Sequence, residues 1–208
     1  MNKNNFSISE AIGFGWQKVK ENFLFFALLL LATIIIPGLV SFLQALLNSD
    51  TWFYTMAFSV FSWIVSMIIS MGVIRITLRL VDGKSYKIED LFSVSNQLLQ
   101  YILGSLLYGT LIFVGFLLLI VPGVIFAVKY QYVTYLIIDK GLDIGEAFSK
   151  SSQMTQGHKF HLWIFSIVLG LVNILGFLSL IIGLFVTIPL SWIACAYVYR
   201  KLGQGIIR

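Results

Sequence analysis

A lysine in the middle of a long apolar stretch is the residue of this sequence most suited to binding an anion. Lys129 is about ten residues from Asp139, or roughly 15 Å along a helix, which is further than a lysine side chain easily reaches. A charge inside a membrane is costly and is a functional-site hypothesis by default. Gln131, Tyr108 and Asn173 are polar residues that could complete a site for a lipid phosphate or an acidic solute.

The alternative is a structural role for Lys129, which could pair with Glu146 or with carbonyl groups at a helix end. His158 and His161 have the spacing of two zinc ligands on one helical face, but no third ligand is near in sequence. We therefore predict interfacial histidines and no metal site. Four acids could be considered for acid/base catalysis, but helix capping accounts for most of them. They are Glu10, Glu89, Asp90 and Glu146. We expect no catalytic residue and no cofactor.

The composition predicts an integral membrane protein. Of the 208 residues, 59% are hydrophobic and 11% are charged, far from the roughly 45–50% and about 25% of soluble proteins. A span needs about 20 apolar residues, and six stretches supply them. These predicted spans are 23–47, 52–74, 98–120, 122–138, 160–178 and 182–199. The single cysteine, Cys195, lies in the last of them and excludes an intramolecular disulfide.

The basic residues predict the orientation of these spans. All of the fourteen Lys and Arg residues except Lys129 fall before the first span, after the last, or in alternate loops, whereas the opposite loops carry only Asp50. By the positive-inside rule, both termini face the cytoplasm. We expect a multi-pass protein of a bacterial inner membrane. The net charge of +5 then reflects topology, and no nucleic-acid partner is predicted.

Each pair of spans follows a segment that looks like an amphipathic helix at the cytoplasmic interface. Ser7 and Glu10 have the spacing of a capping box, Asp143 and Glu146 match it, and Asp90 supplies only the acid. After Ile8, apolar residues recur at helical spacing. The unit of one amphipathic helix and two spans is predicted three times, at 8–82, 88–140 and 144–201. The chain is thus expected to be a single domain, 1–208, with a threefold internal repeat.

Several motifs resemble bacterial membrane-protein families of unknown function. They are Ile120-Val121-Pro122-Gly123, the run 135–141, Glu146-Ala147-Phe148, Ser151 and Thr155-Gln156-Gly157-His158. These families are similar to the membrane domain attached to some glycerophosphoryl diester phosphodiesterases. There the diesterase activity belongs to a separate soluble domain with metal-binding acids and histidines, which this sequence lacks. The resemblance implies architecture and no activity.

The sequence therefore predicts an all-α bundle of six transmembrane helices with three amphipathic interfacial helices. We expect a non-enzymatic, lipid-interacting or membrane-organising accessory module, with the bilayer and anionic lipid headgroups at the cytoplasmic face as partners. A protein partner or a homo-oligomer stays open. The alternative function is a small transporter or channel with a polar interior around Lys129.

Overall fold

The computed structural model describes residues 6–47, 52–93, 95–179 and 182–206, and these form helices with no strand among them. Lys3, Asp50 and Arg208, on which the predicted topology partly depends, lie outside the described residues. Nine α-helices occur in this part of the chain: α1 (Ile8–Glu21), α2 (Phe23–Leu47), α3 (Trp52–Val81), α4 (Leu98–Leu118), α5 (Ile120–Tyr130), α6 (Val133–Lys140), α7 (Ile144–Thr155), α8 (Lys159–Leu178) and α9 (Leu184–Gly203).

Five stretches are long and apolar enough to cross a membrane. They are Phe23–Leu46, Trp52–Val81, Leu98–Leu118, Ile120–Lys140 and Lys159–Leu178. Many of their large apolar side chains are exposed, as a lipid-facing surface requires. The chain is therefore a helical membrane protein with several spans. The helix in the predicted sixth span, α9, is not among the five.

The helix α9 forms the centre of the bundle. It packs against α1, α2, α3 and α8. Its buried residues include Ala194 and Ala196, whose small side chains let neighbouring helices approach closely. Gly15 of α1 lies against the Leu190 carbonyl, and Phe14 stacks on Tyr197 with ring centroids 4.9 Å apart. The apolar face of α1 thus packs on protein, which the sequence analysis did not predict.

The turn between α4 and α5 lies at one residue, Leu119, whose backbone is extended. The predicted spans 98–120 and 122–138 place this turn at Val121, which is wrong, because Val121, Pro122 and Gly123 are already in the first turns of α5. A Cβ at Gly115 would stand 2.8 Å from Gly123 Cα, and one at Gly123 would stand 2.6 Å from the Phe116 ring. The two glycines therefore serve the close packing of the hairpin.

The fourth predicted span is interrupted. Helix α5 ends at Tyr130 and α6 begins at Val133, so the expected continuous helix over 122–138 is divided. The buried side chains of Ser151 and Thr155 on α7 donate hydrogen bonds to the Lys129 carbonyl at 3.0 and 3.2 Å, and Ser151 Oγ accepts one from the Tyr132 N–H at 3.3 Å. Backbone freed by a helix break within an apolar bundle needs such partners.

The connection after α3 also differs from the prediction. Helix α3 continues to Val81, seven residues beyond the predicted end of the second span. One of the three predicted amphipathic α-helices, the one after Ile88, is replaced by two short 3-10 helices, Ile88–Phe92 and Ser95–Gln97. Leu91 of the first lies directly against the backbone of Gly72, where a side chain would not fit. Contact with α3 therefore outweighs the local helical pattern.

Candidate functional site

Two of the three residues predicted to assist Lys129 bond to the backbone next to it, and the third bonds between α8 and α9. The Lys129 ammonium lies 4.8 Å from the centroid of the adjacent Tyr130 ring. Tyr108 donates its hydroxyl hydrogen to the Ala127 carbonyl at 2.8 Å, and Gln131 donates to the Val128 carbonyl at 3.0 Å. Asn173 lies elsewhere, on α8, and donates to Ser191 Oγ of α9 at 3.0 Å. Each helper thus donates one hydrogen bond to a neighbouring protein atom, while Asn173 Oδ1 is buried without a partner among the described residues.

The predicted pairing of Lys129 with Glu146 is not formed in this arrangement. Glu146 is exposed in the first turn of α7, whereas Ser151 and Thr155 are the α7 side chains that contact Lys129. Their partner is the backbone carbonyl of Lys129, which lies at a helix end. These bonds involve the backbone of Lys129, so the predicted pairing of its ammonium with carbonyl groups at a helix end stays a prediction.

The capping residues lie at helix starts. Ser7 Oγ accepts a hydrogen bond from the Glu10 N–H at 3.4 Å, and Asp143 Oδ1 accepts one from the Glu146 N–H at 2.8 Å. Asp90 Oδ2 accepts from the Lys87 N–H at 2.9 Å. These bonds satisfy backbone donors that a helix start leaves free.

The histidines are not brought together with acids or the cysteine. His161 Nε2 lies 3.1 Å from the Phe6 carbonyl oxygen, and its ring packs edge-on against the Phe6 ring. Among the described residues, no group of at least three His, Cys, Asp or Glu side chains could hold a metal ion.

The structure instead brings three helix ends together. Helices α3 and α6 each stop at a glycine with positive φ, Gly83 at 68° and Gly141 at 63°. Only glycine adopts this conformation without strain, so it is a frequent helix terminator. Each stop leaves an aspartate at the helix end, Asp82 and Asp139, and both face Arg200 in the last turn of α9.

Arg200 binds both carboxylates through its planar guanidinium. It donates from Nε and Nη2 to the two oxygens of Asp82 at 2.7 and 2.8 Å. It donates from Nη1 and Nη2 to Asp139 at 2.5 and 2.8 Å. Tyr199 donates its hydroxyl hydrogen to Asp139 Oδ2 at 2.9 Å. A fork of five N–H donors suits arginine to this double recognition, which a lysine cannot reproduce.

The pKa of Arg200 reflects these contacts. Burial by itself would lower the pKa, but the hydrogen bonds and negative charges of Asp139 and Asp82 raise it above the ordinary arginine value. Arg200 is therefore a fixed cation. Its side chain is 24% exposed, against 13% for Asp139 and 23% for Asp82. The triad is thus partly shielded from water.

A polar cavity of about 270 Å³ opens beside this triad. Its lining residues come from α3, the turn after it, α6 and α9: Arg75, Leu78, Arg79, Asp82, Lys84, Ile138, Asp139 and Arg200. Four of these side chains are cationic and two are acidic, which leaves two positive charges. Asp90, from the 3-10 helix Ile88–Phe92, pairs with Arg79 at 2.8 Å, which leaves one net positive charge.

Arg75 is the cation of this cavity whose recognition capacity is least used. Its Nε is buried and has no hydrogen-bond partner among the residues that the structure describes. Buried donors in folded proteins are nearly always satisfied, and an exception calls for a functional or structural explanation. Arg79 and Arg200, in contrast, already donate to carboxylates.

Arg75, Arg79 and Arg200 belong to the basic residues from which the sequence predicts the orientation of the spans, and neither Asp82 nor Asp139 is predicted as a site residue. The signal that could have identified them is their position in the proposed repeat. Asp82, Asp139 and Arg200 lie at the ends of the three proposed repeat units, at 82, 140 and 201. Equivalent ends of repeated helix hairpins are expected on one side of a bundle. An ion pair between the acidic and basic residues at these ends could therefore have been predicted.

The fold and the charged triad define a polytopic helical membrane protein with a cationic cavity at one end of the bundle. Uncharacterized proteins from Mycobacterium bovis and from two strains of Mycobacterium tuberculosis are similar to it. Each is 24% identical over 235 aligned residues, which cover 99% of this chain and 71% of the relative. No family model and no solved structure matches the chain. The resemblance to phosphodiesterase-linked membrane domains therefore stays a prediction.

Proposed function

We propose that this protein is a non-enzymatic membrane module that binds anionic lipid at the cytoplasmic face of a bacterial inner membrane, and thereby organises lipid or supports a partner. The observation that carries this proposal is the cationic cavity beside Arg200, at the end of the bundle where α3, α6 and α9 meet. Basic residues near a membrane surface attract anionic lipid by about 1 kcal/mol each.

The proposed topology has six spans, with α9 as the sixth and both termini in the cytoplasm. Three cytoplasmic segments precede the span pairs: α1, the 3-10 segment after Ile88, and α7. The meeting of Asp82, Asp139 and Arg200 supports this arrangement, because three unit ends on one side require an even number of crossings between them. It also supports the threefold repeat over 8–82, 88–140 and 144–201.

Lipid binding is favoured over transport because the polar residues predicted with Lys129 are engaged with protein groups. Tyr108, Gln131 and Asn173 each donate to a neighbouring protein atom, and the ammonium of Lys129 lies over Tyr130.

Lipid-dependent stability tests the proposal. A ligand that binds only the folded state raises the free energy of unfolding according to its concentration and affinity. We expect phosphatidylglycerol, added to the detergent-solubilised protein, to raise the unfolding midpoint more than phosphatidylcholine of the same chain length. Equal shifts with the two lipids would refute selective binding of anionic lipid.

A further inference from the structure

We propose that the cavity among α3, α6 and α9 is a binding site for a phosphate group, with Arg75 as its main recognition residue. The inference rests on the proposed lipid-binding function only for the source of the phosphate. Recognition of a phosphate group by this cavity does not require that the group belong to a lipid. A phospholipid headgroup and a free phosphate present the same oxygens to the site, and the experiment below distinguishes them.

The first argument is the charge of the cavity. Its lining has two more cations than acids, and one more when Asp90 is included. The two lining carboxylates are both occupied by Arg200, which holds them in fixed hydrogen bonds. The acids therefore position one guanidinium, and Lys84 also lies 3.6 Å from Asp82, so Arg75 is the lining cation left to attract an anion.

The second argument is the geometry of α3. Arg75 and Arg79 are four residues apart, which places them on the same face of the helix. Both line the cavity, as does Lys84 from the turn that follows α3. Arginine donors match the tetrahedral oxygens of phosphate, and lysine adds a mobile charge. The Lys84 side chain is 67% exposed and can approach a ligand from the open side.

Arg75 is also the lining arginine that donates to no carboxylate among the described residues. Its Nε is shielded from water, so an anion in the cavity would accept hydrogen bonds from the other nitrogens of the guanidinium. A cavity of about 270 Å³ suits a phosphate group with a small substituent, while acyl chains would remain outside in the bilayer.

The test compares Arg75→Gln and Lys84→Ala with the control Lys140→Ala. Lys140 is an exposed cation at the end of α6, next to Asp139, but it does not line the cavity. Each protein is titrated in detergent with inorganic phosphate, with sodium chloride at equal ionic strength, and with short-chain phosphatidylglycerol, and the unfolding midpoint is measured. Lys84→Ala keeps the test informative if Arg75→Gln fails to fold.

We expect wild type to respond to a phosphate probe, with an apparent affinity about tenfold weaker in Arg75→Gln and weaker also in Lys84→Ala. The control should match wild type. If only the lipid acts, the phosphate comes from a headgroup. If only inorganic phosphate acts, the site stands and the proposed lipid function fails. If phosphatidylglycerol acts equally on all variants, lipid binding stands and this site is wrong. If neither inorganic phosphate nor phosphatidylglycerol shifts the unfolding midpoint of wild type, the inference is wrong.

Discussion

Replacing Arg200 with alanine removes the cation that two carboxylates share. Asp82 Oδ2 and Asp139 Oδ1 each lie 2.8 Å from Arg200 Nη2. These two oxygens are therefore at most about 5.6 Å apart, twice that distance. Without the guanidinium, two partly buried negative charges would face each other at the junction of α3, α6 and α9.

The cost can be worked out from that separation. Two unit charges about 5.6 Å apart repel by about 3 kcal/mol at an effective dielectric constant of about 20. Removing one partner of a buried ion pair costs about 3–5 kcal/mol in measured cases. We therefore expect Arg200→Ala to lower the free energy of unfolding by about 3 kcal/mol.

Unfolding by sodium dodecyl sulfate in mixed micelles, followed by tryptophan fluorescence, measures this change. Lys140→Ala is the control, because it removes a nearby exposed cation outside the triad. Adding Asp139→Asn to Arg200→Ala removes one of the repelling charges and should recover about 1 kcal/mol or more. A loss below about 1 kcal/mol in Arg200→Ala, or no recovery in the double variant, would refute the electrostatic reasoning.

Three further substitutions test the packing and the predicted site. Gly72→Ala should destabilise by about 1–3 kcal/mol, because its Cβ would collide with the Leu91 backbone, whereas Gly38→Ala, where the space is open, should not. In the same unfolding assay, Ser151→Ala should cost about 1–3 kcal/mol, since it leaves the buried Tyr132 N–H without its acceptor, while Thr155 still bonds to the Lys129 carbonyl. Lys129→Ala should cost about 1 kcal/mol or less, the value of its contact with an aromatic ring, and leave lipid binding unchanged. If Lys129→Ala abolishes lipid binding, the lipid-binding site lies at Lys129.

Helix positions followed from apolar run length and capping residues. The five candidate spans overlap predicted ones, and α1 begins at Ile8, as the spacing of Ser7 and Glu10 predicts. Both signals are local, so one sequence displays them.

Features that depend on a neighbouring helix could not be predicted. The break at Gln131 and Tyr132 is stabilised by Ser151, about twenty residues away, and no local pattern announces it. The 3-10 form of the segment after Ile88 follows from its contact with Gly72. Lys129 stood out because it is charged within an apolar run, whereas Arg75 was read as a loop residue because the end of α3 was placed too early.

Native mass spectrometry of the gently purified protein measures anionic-lipid binding most directly. We expect at least one phosphatidylglycerol to remain bound when phosphatidylethanolamine, the zwitterionic competitor at equal concentration, is lost. Retention of the two lipids in proportion to the mixture, or of neither, would contradict anionic-lipid binding as the function of this protein.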